Sequence, residues 1–467
     1  MILAKTPPAN REIITMKRAW RGGGAVVAVF LLVTHWCSAA PTVVDPNLTV
    51  DTVTTGLDSP SGMAFLPDND ALVIEKNSGQ VQLLRNGAIA GVALNLPVAN
   101  NSEEGLLGIA LHPDFASNGF VYLYYTLSTS VGGAPINNVI GRYHWNGSTL
   151  TFDKVIADLP TMPGPNHNGG KILFGPDGKL YAVIGELNRR EAAQNNQSST
   201  AIHRAGVILR LNKGGKTPTD NPFFSTANIG TPRAPLNDIF AYGVRNSFGL
   251  AFDPVTGMLW DTENGPANFD EINRVRAGFN SGWTAIQGPL SRNPGASVSQ
   301  LVSFGPSAFY ADPKFSWVTT VAPTDIHFQS NTLLGGIYQN TMFAGDNNTG
   351  SLFHFDLSAD RKTLALSGPL ADRVADNTSI DLLAEQSSVL FGSGFGTTTS
   401  IVGGPDGMYV TSIGGQIYRI HSKATAAQPA GDIAAVPLPA MVWPIAVLLL
   451  AFVAARLPRQ SGRLTLL

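Results

Sequence analysis

The sequence predicts an all-β chain, a six-bladed β-propeller of four-stranded antiparallel blades. Three observations carry that expectation. A strand–turn–strand unit recurs through residues 49–420, its turns are built on proline, and no long stretch has the period of an amphipathic helix. The units read "GMAFLPDNDALVIEKNSGQVQLL", "GIALHPDFASNGFVYLYYT", "KILFGPDGKLYAVIGE", "GLAFDPVTGMLWDTENG" and "SIVGGPDGMYVTSIGGQIYRI". Each is an apolar run, a turn and a second alternating strand. Proline presets φ at such turns, and Asp, Gly or Asn accepts the tight backbone. The turn prolines are Pro67, Pro113, Pro176, Pro254 and Pro405, and the last interval is about twice the one before it. Residues 335–357, "GGIYQNTMFAGDNNTGSLFHFDL", fill that gap with the same rhythm but no Pro-Asp, which brings the expected number of units to six.

Ahead of the repeats, residues 1–40 read as an export signal, with the true start possible at Met16. "MKRAWRGGGAVVAVFLLVTHWCSAAP" supplies Lys17, Arg18 and Arg21, then an apolar stretch, then the small residues Ser38, Ala39 and Ala40. The one cysteine, Cys37, lies inside this segment, and "THWC" lacks the small residues expected before a lipidated cysteine. The mature chain therefore has no thiol, which excludes cysteine catalysis and zinc–thiolate sites. A formal net charge of −2 and a charged fraction of 14% exclude nucleic acid as a partner on electrostatic grounds.

Behind the repeats, residues 421–435 form a small-residue linker. Residues 436–467 hold "VPLPAMVWPIAVLLLAFVAARLPRQ", an apolar run interrupted by Pro444 and followed by Arg456 and Arg459. The run is shorter than the ~20 residues of a comfortable span, and the arginines would keep that end cytoplasmic. It is either a plain membrane anchor or a sorting signal. The order of parts resembles the VPLPA variant of the PEP-CTERM signals, which implies a sorting machinery as partner and a place in the periplasm, cell envelope or cell surface.

Three longer stretches of the body point to chemistry. They are "EEGLLGIALHPDFASNGFVYLYYT" from Glu103, "HNGGKILFGPDGKLYAVIGE" from His167, and "YGVRNSFGLAFDPVTGMLWDTENGPANFDEINRVRAGFNSGW" from Tyr242. Together they resemble the PQQ-dependent sugar dehydrogenases of the glucose/sorbosone dehydrogenase family, over about residues 56–420. The resemblance implies PQQ and Ca²⁺ as cofactors, a sugar as substrate and an electron acceptor that the sequence does not identify. Carried over by position, His167 is the general base, Glu186 the carboxylate that orients it, and Arg245 the cation beside the quinone oxygen. Asn246 faces the cofactor. Gly265 and Pro266 offer carbonyls to calcium with Asp270 and Glu271 nearby, and Glu103 and Asn166 join His167 against the sugar. The residue types suit these roles. Histidine titrates near neutrality, arginine is a fixed cation, and carbonyl oxygens are hard ligands for Ca²⁺.

Four positions depart from the family pattern. Val244 stands where a histidine is usual, and Glu186 where Asp is common. Thr397 and Thr399 stand where the soluble glucose dehydrogenases have two arginines for PQQ carboxylates. The segment 186–206, "ELNRREAAQNNQSSTAIHRAG", is more highly charged than usual, and Arg189, Arg190 or Arg204 offer substitute partners. Read without the resemblance, His167 is a loop histidine, Arg245 a strand-end cap, Gly265 and Pro266 turn formers, and the Asp270–Glu271 pair a structural calcium site. His112 and His203 have no assigned role. Two functions follow: an exported quinoprotein that oxidises an aldose, or a surface propeller that has lost its cofactor and binds polysaccharide or protein.

Overall fold

The computed structural model describes residues 40–376 and 385–423. The expected export signal, nearly all of the linker and the C-terminal apolar segment lie outside the described residues. Among the described residues no helix is long and apolar enough to cross a membrane.

Hydrogen bonding groups the described strands into six sheets around an all-β propeller. In chain order, their first strands are Pro60–Phe65, Leu106–Leu111, Ile172–Phe174, Ser247–Phe252, Pro323–Gln329 and Thr398–Gly403. Each first strand packs beside the first strand of the next sheet, and the last returns to Pro60–Phe65. Three sheets have four strands, while the third, fourth and fifth gain short extra strands at their outer edges. The sixth is completed from the other end of the chain, because Leu48–Thr54 pairs antiparallel with Gln416–Ser422.

The Pro-Asp-Gly turns do what their chemistry predicts. After Ile172–Phe174, the Asp177 carboxylate accepts the Lys179 N–H at 3.0 Å, and Gly178 takes φ +68°. The second strand of a sheet is walled on both faces by its neighbours. Ala71–Glu75, Leu180–Ile184, Leu259–Glu263 and Met408–Ser412 are therefore buried at every residue. Aromatic side chains fill the space between the fourth and fifth sheets, where Trp260, Phe315, Trp317, Phe353 and Phe355 are buried together.

Two expectations need correction. The unit at residues 335–357 is out of phase: Thr341–Asp346 and Leu352–Phe355 are the second and third strands of the fifth sheet. Its true first strand is Pro323–Gln329, where Asp325, His327 and Gln329 replace the apolar run that marks the other units. The domain is also slightly longer than 49–420, since its edge strands reach Thr42 and Ser422.

Polar clamps hold adjacent sheets in register. Arg361 donates from Nε and Nη2 to the two Asp253 oxygens at 2.8 and 2.6 Å, joining the fifth sheet to the fourth. Burial opposes the charge on Asp253, yet Arg361, the Thr256 hydroxyl and the Val255 N–H hold its carboxyl below the usual range. A depressed folded value stabilises above the unfolded pKa, ~3.9, and is lost as pH falls through the lower folded value. Asp253→Asn is expected to cost about 3 kcal/mol at neutral pH by leaving Arg361 unpaired. In denaturant melts, that gap from the parent protein should close in acid below about pH 4.

Close backbone approach also matters where the third sheet meets its loops. A Cβ on Gly185 would lie 2.4 Å from the His167 carbonyl oxygen and 2.9 Å from that of Arg245. Gly185→Ala must separate these two loops, so a loss of about 1–3 kcal/mol is expected on chemical denaturation.

Candidate active site

Antiparallel pairing of first and second strands puts two kinds of chain end on one face. The start of each first strand lies beside the finish of the second, as in Pro60 opposite Glu75, Ser247 opposite Glu263 and Thr398 opposite Ser412. Residues just before a first strand or just after a second strand therefore gather there. Glu103, His167, Arg245, Asn246 and Thr397 precede first strands, whereas Lys76 and Glu186 follow second strands.

His167 sits in the left-handed region at φ +62°, a conformation uncommon for a side chain of this size. Glu103 holds it there. One Glu103 oxygen, Oε2, accepts the His167 N–H at 2.6 Å, the Asn168 N–H at 3.3 Å and the Asn246 Nδ2 at 3.1 Å. Fully buried Asn168 anchors the same loop to the second sheet, accepting from Asn138 Nδ2 at 3.0 Å and from the Tyr124 hydroxyl at 3.2 Å. The imidazole Nδ1 meets Glu186 Oε1 in a short contact, with the two side chains 12% and 4% exposed. The expected base and orienting carboxylate are thus brought together. Glu103 supports the backbone of the His167 loop, and it also lines the axial cavity. Asn166, expected against the sugar, accepts the Ser102 hydroxyl instead.

Arg245 is joined to this pair through its backbone. Its carbonyl accepts the Glu186 N–H at 2.8 Å, and its own N–H donates to Glu263 at 2.7 Å. Its guanidinium Nη1 donates to the Asn264 and Gly265 carbonyls at 2.8 and 3.0 Å, with Cζ 5.3 Å from the Trp283 ring centroid. Burial pulls its pKa below the ordinary arginine value, with Glu186 and Glu263 opposing. Asn246 also reaches the site, but its buried Oδ1 has no partner.

The expected calcium set changes here. Gly265, Pro266 and Glu271 do line one void of about 10 Å³, with Arg245, Glu263 and Ser281. Asp270 does not line it; its two oxygens accept the N–H groups of Gly265 at 2.8 Å and Ala322 at 2.6 Å, while Glu263 and Glu271, which do line it, accept from Arg245 N–H and Ser281 and from Gly288 N–H and Asn273. Asp270 pins the Gly265 turn to the fifth sheet. Glu263 takes its place, a residue the sequence reading passed over because its signature lies at the end of an ordinary strand. Asp261 lies below, fully buried with neither carboxylate oxygen hydrogen-bonded. Burial, and then mutual repulsion, push Asp261 and Glu271 well above the carboxylate range; burial does the same to Glu263. Three buried carboxyls against one guanidinium are the electrostatics of a site that suits a further cation. Among the described residues no three acidic or imidazole side chains converge on one point, so backbone carbonyls must complete any coordination.

Beside these groups, a cavity of about 430 Å³ opens at the axis, within the range of small-molecule sites. Glu103, Asn264, Thr397 and Thr399 line it, with Lys76 and Lys171. The arginines offered as substitutes for the missing charge do not line it: Arg189 pairs with Glu191 at 2.8 Å, Arg204 pairs with Asp238, and Arg190 lies over Trp283. Lys171 spans to Asp325 on the fifth sheet, 2.8 Å from each oxygen. The cavity lysines were missed because each sits inside a strand–turn unit, where a charge reads as a solvated edge.

Comparison with known proteins fits this geometry. The family model described as Glucose / Sorbosone dehydrogenase matches residues 57–376. The aldose sugar dehydrogenase YliI of Escherichia coli is 33% identical over 262 residues, 54% of this chain and 67% of that protein. Quinoprotein glucose dehydrogenase B of Acinetobacter calcoaceticus is 31% identical over 264 residues, 52% of this chain and 53% of that one. The PQQ-bound aldose sugar dehydrogenase of Streptomyces coelicolor superposes with a TM-score of 0.59 at 26% identity, covering 82% of this chain and all of that one. With the model match extending over more than half of its length, the chain belongs to the glucose/sorbosone dehydrogenase family.

Proposed function

We propose that this protein is an exported quinoprotein that oxidises an aldose or related sugar, its six sheets forming six blades around a PQQ site. The observation that carries the reading is the His167–Glu186 contact, locked to Arg245 through the backbone beside the axial cavity. With Nδ1–H directed at Glu186, the His167 tautomer leaves Nε2 as a proton acceptor. Nε2 takes the proton of the sugar's anomeric hydroxyl, and Glu186 supports the imidazolium that results. PQQ, when bound, supplies the two-electron acceptor that turns the sugar into its lactone. Arg245 presents a fixed positive charge next to the cavity without needing to reorganise. Calcium, if bound here, would be held by the carbonyls of Gly265 and Pro266 beside Glu271 and Glu263, which would exchange their present hydrogen bonds for the ion and be relieved of their crowding. An external acceptor then removes the electrons, and a C-terminal sorting machinery would fix the protein at the envelope.

One observation favours a second reading, a propeller without cofactor that binds polysaccharide or protein. Thr397 and Thr399 line the cavity, and their hydroxyls donate to the carbonyls of Asn347 and Pro60 at 3.4 and 2.8 Å. They offer no charge to an anion.

A titration of the whole protein with PQQ, in the presence of calcium, separates the two. Saturable binding with sugar-dependent reduction of a dye is expected. His167→Gln should keep PQQ affinity within about threefold and lower kcat by about 100-fold or more. Glu186→Gln should lower kcat without moving PQQ affinity. Absence of binding at about tens of micromolar PQQ would remove the dehydrogenase and leave the binding module.

A further inference from the structure

We propose that Lys76 is the cation that receives a carboxylate of the quinone cofactor in this chain, at the part of the cavity where Thr397 and Thr399 offer no charge. The inference rests on the PQQ reading above and concerns how this chain holds the anion. A ligand with several carboxylates needs fixed positive charge, because desolvating an unpaired anion is costly.

Two lysines line the cavity, and only one is available. Lys171 is neutralised by both oxygens of Asp325. Lys76 donates to the neutral Asn77 Oδ1 at 3.1 Å, and among the described residues it makes no ion pair. An ammonium has three N–H donors, so two remain for an incoming oxygen.

Its placement is built. Lys76 directly follows the second strand Ala71–Glu75, whose Glu75 is paired with Pro60. The Pro60 carbonyl is the one that takes the Thr399 hydroxyl. Lysine and threonines therefore belong to adjoining sheets at the same end of the propeller. Gly105 makes room for the lysine stem: at φ +150°, a Cβ there would sit 2.6 Å from Lys76 Cγ and 2.5 Å from its carbonyl oxygen. A stem packed against backbone loses little further freedom when its head group is engaged. Burial also lowers the Lys76 pKa, with Glu103, Glu104 and Asp58 opposing, which describes a partly desolvated ammonium that an anion would stabilise.

The experiment is an equilibrium PQQ titration of the whole protein with calcium, read by quinone absorbance or quenching of tryptophan fluorescence. Lys76→Met, which keeps the stem and removes the charge, is expected to raise Kd about 10- to 100-fold. Lys76→Arg should stay within about threefold of the parent. Adding T397R and T399R to the Lys76→Met protein should recover most of the lost affinity, a result that a misfolded variant would not give. PQQ trimethyl ester, which has no ionised carboxylate, should bind parent and Lys76→Met alike. If the parent binds PQQ and Lys76→Met binds within twofold of it, the assignment to Lys76 is overturned while the quinoprotein reading stands. If the parent binds no PQQ, both fall together.

Discussion

Lys171, just ahead of the third sheet's first strand, reaches both carboxylate oxygens of Asp325 on the fifth, and Asp325 also accepts the Ile401 N–H of the sixth at 2.8 Å. Asp325 has no exposure to solvent, so this is a buried charge held by an ammonium and a backbone donor. One carboxylate thereby fixes three sheets about the axis. Removing either partner would strand the other in a low-dielectric interior, which makes the arrangement intolerant of partial loss. The pair also takes up the charge of one of the lysines that line the axial cavity.

Around that fixed floor the site is assembled from strand ends. Glu103 and Glu263 each accept a backbone N–H from a loop that enters a first strand, while Glu186 meets the His167 imidazole with its carboxylate and donates its own N–H to the Arg245 carbonyl, so three glutamates set the position of His167 and Arg245. The chemistry does not rest on flexible loops reaching inward. It rests on second strands too deeply buried to move, with acidic residues at or just beyond their final positions. The expense is a crowd of buried carboxyls at Asp261, Glu263 and Glu271, whose charged forms burial disfavours.

The antiparallel architecture was legible wherever a turn carried Pro with Asp or Gly, because that chemistry is local. It was illegible for the fifth sheet, whose first strand carries Asp325 in place of an apolar run, since the function of that strand is to hold a charge at the axis. His167, Glu186 and Arg245 were legible from their matched segments, and the structure places them in one connected group. Asp270 was misread because alternate residues of a strand face opposite ways, and one position separates a cavity-facing carboxylate from a turn-pinning one. Lys76 was invisible for a different reason: what distinguishes it, among the described residues, is a neutral partner in place of an ion pair, and sequence does not record pairing. Glu103 lies near His167 only in space, 64 residues away in the chain.

The seam of the propeller joins the two ends of the body. Leu48–Thr54 zips onto Gln416–Ser422, and Lys423 donates to the Asn47 carbonyl at 2.8 Å. During synthesis Leu48–Thr54 therefore waits, unpaired, for the latest strand. Until Ser422 has emerged, the growing body is an open arc with bare edges, ready to pair with another chain. The ring is closed last, by residues that carry none of its chemistry, and a nascent chain stalled shortly before that point has every candidate catalytic side chain and no finished vessel to hold them.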